Sequence, residues 1–106
     1  MLRFFQQMCE DTGYSPQTSF WEDFSIAEYY GSDAIYDTFF KAMREWRKNH
    51  VYLTELVMIL NWKIWAWYKH DPELSKVYQA LYEQADKFAI DNLKDEELEY
   101  FLRTVD

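Results

Sequence analysis

Apolar residues recur along most of this chain at intervals of three and four, the spacing that puts them on one face of an α-helix. Phe20, Phe24 and Ala27, with Tyr30 beyond them, are the expected inner positions of a first strong helix. Ser19-Phe20-Trp21-Glu22 reads as a capping box at its start, and Gly31 as the left-handed residue that closes it. A second helix restarts at Ser32-Asp33 and sets Ile35, Phe39, Ala42, Met43 and Trp46 on one face. Arg44, Arg47 and Lys48 occupy its last turns, where cations suit the helix dipole, and Asn49-His50 marks the stop.

The segment from about Val51 to His70 is apolar on more than one side. Leu53, Leu56, Val57, Leu60, Ile64 and Trp67 form the main stripe, and Thr54, Met58, Asn61 and Trp65 a second beside it. Glu55, Trp62, Lys63, Ala66 and Lys69 are left for the remaining girth. A helix of this kind is central, with neighbours on several sides. Asp71-Pro72 supplies an N-cap and a first-turn proline, so a new helix carries Leu74, Val77, Tyr78, Leu81, Ala85, Phe88 and Ala89 to Asn92. Asp95-Glu96-Glu97 opens a short last helix with Leu98, Phe101, Leu102 and Val105. At the other end, Leu2, Phe5, Met8 and Cys9 make a weaker helical pattern that Gly13-Tyr14-Ser15-Pro16 breaks. The expectation is an all-α fold, a compact bundle of five to six helices around one long central helix. It forms a single domain with its core in residues 18–106 and a peripheral N-terminal segment in 1–17.

Composition narrows this picture. Aromatic residues make up 21% of the 106, more ring surface than so small a core needs, so either the core is unusually aromatic or some rings meet a partner. Two Gly and two Pro are too few for a turn-rich barrel or sandwich. Cys9 is the single cysteine, which excludes an intramolecular disulfide and a multi-Cys zinc site. The net charge of −8 opposes direct binding to nucleic acid or to anionic membranes, since both need Lys and Arg to replace counterions. The apolar runs are too short for a signal peptide or a membrane span, so a cytoplasmic location is expected.

Catalytic chemistry finds no foothold in the pattern. His50 and His70 bracket the long helix and stand roughly 30 Å apart along it. No Glu-x-x-His motif, Gly-x-Ser-x-Gly elbow or glycine-rich phosphate loop occurs. Glu22 and Asp23 read as first-turn charges and Cys9 as a small core residue. No catalytic residue, metal site or cofactor is expected, and the chain reads as a non-enzyme. Two features are candidates for partner binding. Trp62 points toward the polar side of the long helix, covered by neighbours or presented to a partner, and Asn61 beside it is a bonded core amide or a recognition group. The second is the acidic set Glu83, Asp86, Asp91, Glu96, Glu97 and Glu99, a solvated face or an imitation of a phosphate backbone.

The strings Thr18-Ser19-Phe20-Trp21-Glu22-Asp23-Phe24-Ser25-Ile26-Ala27, Asp37-Thr38-Phe39 with Glu45-Trp46, and Tyr52-Leu53-Thr54-Glu55-Leu56-Val57-Met58 add a resemblance. With Leu60-Asn61, Lys63-Ile64-Trp65, Glu99-Tyr100-Phe101 and Arg103-Thr104-Val105-Asp106, the chain resembles small acidic helical proteins carried by phages and mobile elements of gut Firmicutes. The likeness covers about residues 18–106 and implies a bacterial-cell setting, with no activity or site residues attached. A non-catalytic protein-binding module is therefore expected, an inhibitor of a host nucleic-acid-processing or defence enzyme acting through an acidic, phosphate-like surface. The alternative is a self-associating structural or regulatory homodimer whose surplus aromatics line the interface.

Overall fold

The computed structural model of the chain describes residue 7 and residues 9–105. Its helices are α1 (Phe20–Tyr30), α2 (Ser32–Glu45), α3 (His50–Trp67), α4 (Pro72–Asn92) and α5 (Glu96–Val105), with a 3-10 turn at Trp46–Lys48. Residues 9–12 add a helical turn ahead of α1, and no strand occurs among the described residues. α3 touches all four other helices, and α4 runs against it most extensively. The fold is thus an all-α bundle around a long central helix, 38 × 29 × 21 Å in extent.

The reason for that centrality is visible in α3 itself. Every residue from Leu53 to Leu60 is buried, so the helix has no solvent face over two turns. Phe24 and Ala27 of α1, Ile35, Phe39 and Ala42 of α2, Tyr78, Leu81, Ala85 and Ala89 of α4, and Phe101 of α5 close around it. Two buried hydroxyls are satisfied by helix carbonyls: Thr54 donates to His50 at 3.3 Å and Ser75 to Ile64 at 2.8 Å. The second of these also ties α4 to α3.

Local chemistry sets the element ends. Asn49 is extended and its Oδ1 accepts from the Val51 N–H at 2.9 Å, which starts α3. Asp71 caps α4 by accepting from the Leu74 N–H at 3.1 Å, with Pro72 in the first turn. Gly31 has φ +110° and ψ −175°, a region closed to side-chain-bearing residues, and donates to the Ala27 carbonyl at 3.1 Å. Because α1 and α2 are joined by this single residue, they form a tight helical hairpin.

Several expectations need correction. Ser19 makes no capping bond; its backbone is not extended, and its hydroxyl instead donates to Asp23 at 3.1 Å. Thr18 Oγ1 serves the exposed helix start by accepting from the Phe20 N–H at 3.4 Å. Tyr30 is exposed, while Trp21 is buried in its place. α1 is rolled toward Trp21 and Glu28 because polar groups on α3 and α4 hold that side, as described below. In the N-terminal pattern Leu2, Phe5 and Met8 lie outside the described residues. Of the described part of residues 1–17, Cys9 belongs to the core and Tyr14 packs against it, while its other residues are exposed.

Candidate functional site

The second half of α3 leaves the core on one side. Met58, Asn61, Trp62 and Trp65 recur at three- and four-residue spacing and form one wall of an open groove. Tyr100, Thr104 and Val105 of α5 form the other, and Thr12, Gly13 and Tyr14 close one end, enclosing about 770 Å³. Trp62 is half-buried against the core, whereas Trp65 is 62% exposed. Of the two readings of Trp62, its packing against the core agrees with the covered one, and Trp65, about one turn on, is the more exposed ring. The one ring neighbour of Trp65 among the described residues is Tyr68, edge-on at 5.5 Å.

Asn61 is half-buried in this wall. On the opposite wall the Tyr100 ring is braced edge-on by His50 at 5.7 Å, and His50 Nδ1 lies 3.3 Å from Glu97. The histidine ties the start of α3 to the start of α5. Glu96 and Glu97 precede Tyr100 by one helical turn and so give this end of the groove a negative rim.

The other acidic candidates are dispersed. Glu83, Asp91, Glu96 and Glu99 are exposed, Asp86 is half-buried, and Glu97 is engaged with His50. At about 100° per residue, Glu83, Asp86 and Asp91 fan over roughly 140° of α4. They do not line up as a single track of phosphate-like charge, and Lys87 and Lys94 stand among them.

Sequence reasoning missed the two most constrained charges. Lys63, assigned to the polar girth of α3, has no exposed side-chain surface. Its aminium lies 3.1 Å from Glu28 of α1, donates to Ser25 at 2.9 Å and sits 4.2 Å from the centre of the Trp21 ring. Glu28 also accepts from the Trp67 indole at 3.0 Å and the Tyr78 hydroxyl at 2.5 Å. Burial pushes the Lys63 amine down from its ordinary value against the pull of Glu28, and burial beside that carboxylate pushes the Tyr78 phenol far up. One carboxylate therefore joins α1, α3 and α4. The only hint in the sequence was a lone lysine between Trp62 and Ile64.

Glu55 is likewise fully buried. It accepts from the Gln17 N–H at 3.2 and 3.3 Å, so it clasps the segment leading into α1. Burial pushes its carboxyl up, opposed by the donors of Thr18 and Gln17. Burial and then Glu55 raise the nearby Cys9 thiol, which disfavours the reactive thiolate. Among the described residues no three His, Cys, Asp or Glu side chains converge to hold a metal ion. No helix among them is long and apolar enough to cross a membrane. No protein-family model, curated protein or solved structure matches the chain.

Proposed function

We propose that the protein is a non-catalytic protein-binding module that takes a partner's side chain or short segment into the groove between α3 and α5. The carrying observation is the pairing of a 62% exposed Trp65 with Asn61 in one groove on a rigid, buried helix. An apolar ring with a polar group beside it is the usual composition of a binding hot spot, and a helix locked over two turns loses little entropy on binding. The negative rim at Glu96 and Glu97 and the net charge of −8 favour a basic partner, such as a host nucleic-acid-processing or defence enzyme. The groove replaces an extended phosphate-like surface as the centre of this reading, because the acidic side chains of α4 diverge.

The test is affinity capture from a bacterial host with the native chain and the Trp65→Ala and Asn61→Ala variants in parallel. A partner retained by the native chain and weakened at least tenfold by Trp65→Ala supports the reading, since truncating a hot-spot ring costs roughly 2 kcal/mol or more. Thermal stability of Trp65→Ala is expected to stay within about 0.5 kcal/mol of native, because an exposed ring contributes little to folding. A partner bound equally by all three chains would place binding elsewhere.

A further inference from the structure

The outer face of α2 has a sense of direction. Asp33, Tyr36, Asp37, Phe40, Arg44 and Arg47 are all exposed. At about 100° per residue they fall within roughly 100° of one another, a single stripe along the helix and the turn that follows it. Acids occupy its first half, two aromatic rings its middle and bases its last half. Tyr36 is 38% exposed and Phe40 49%. None of the four charged residues makes an ion pair among the described residues.

We infer that this stripe is the interface of a two-fold symmetric homodimer in which α2 pairs antiparallel with α2 of a second copy. Antiparallel pairing about Phe40 sets Asp33 opposite Arg47 and Asp37 within one residue of Arg44, twice over, with Phe40 meeting Phe40 on the axis. An isologous interface must be self-complementary, and this order of acid, ring and base meets that condition. The helix dipole alone explains an acidic start and a basic end, but it does not require two exposed rings between them. At about 200 Å² per ring, Tyr36 and Phe40 expose on the order of 170 Å², an apolar centre that the paired charges on either side extend. The net charge of −8 on each copy opposes the contact, so the dimer is weak and forms because the stripe's own charges alternate in sign across it. The groove between α3 and α5 shares no helix with this face and stays open in both copies.

Sedimentation of the full chain from micromolar to millimolar concentration tests the inference. A monomer–dimer equilibrium is expected, and Phe40→Asp should raise its dissociation constant at least tenfold. Charge exchange gives the decisive arm. A chain with Asp33→Arg and Asp37→Arg carries a wholly basic stripe, and one with Arg44→Glu and Arg47→Glu a wholly acidic one. Each alone should be monomeric, while their mixture should form a one-to-one heterodimer. All these positions are exposed, and unchanged helicity and melting would show that the variants fold. A native chain that stays monomeric at millimolar concentration overturns the inference. So does a dimer that survives Phe40→Asp and both exchanges, or variants that fail to pair when mixed.

Discussion

Around the buried Lys63 amine, Glu28, Ser25 and the Trp21 face stand where solvent would otherwise lie. Such a cluster is sensitive to losing one member, since the remaining charge is left buried and uncompensated. Lys63→Met is expected to destabilise the fold by about 3 kcal/mol, read from urea denaturation. Adding Glu28→Gln should recover part of that loss, because Gln still accepts from Trp67 and Tyr78 without a charge. A double variant no more stable than Lys63→Met alone would mean that the amine acts by packing rather than by pairing.

Among the elements, the two helix starts at which the sequence places a capping side chain behave differently. Asp71 accepts from the Leu74 N–H, whereas Ser19 caps nothing. Asp71→Ala is therefore expected to cost about 1 kcal/mol and Ser19→Ala only a few tenths, both measured by chemical denaturation. The difference lies in the backbone. Pro72 holds the α4 start in helical geometry and leaves Asp71 outside it, while Ser19 already has a turn conformation and directs its hydroxyl toward Asp23. A sequence motif names the residue types for a cap, and the dihedral angles decide whether the bond forms.

For the molecule as a whole, the buried titrating groups shape the pH dependence of stability. Glu55 has a folded value above its ordinary 4.5, so the native state binds its proton more readily than the unfolded chain. Its contribution is therefore greatest in acid and declines as pH rises from 4.5 through the folded value. Relative to native, Glu55→Gln should be better tolerated at pH 7 than near pH 4.5. A constant stability difference across that range would contradict this assignment. Lys63 has the opposite sense of shift for a base: its folded value lies below 10.5, so its contribution improves as pH climbs toward 10.5. Above about pH 10 the tyrosines reverse the trend, because Tyr14 and Tyr78 ionise more readily unfolded than folded.

Helix class, the central place of α3 and the breaks at Gly31, Asn49 and Asp71-Pro72 were legible along the chain. They follow from short-range spacing and from backbone groups satisfied within a few residues. Which of Trp62 and Trp65 is the more exposed was not legible, because it depends on how closely the neighbouring helices approach each side of α3. The burial of Glu28, Lys63 and Glu55 was also hidden. Residue type alone assigns charged side chains to solvent, and only partners contributed by distant parts of the chain, such as Ser25 for Lys63 at 38 positions, make their burial tolerable. Local periodicity sets what each helix is, and tertiary packing decides which polar groups lie inside and which rings remain outside.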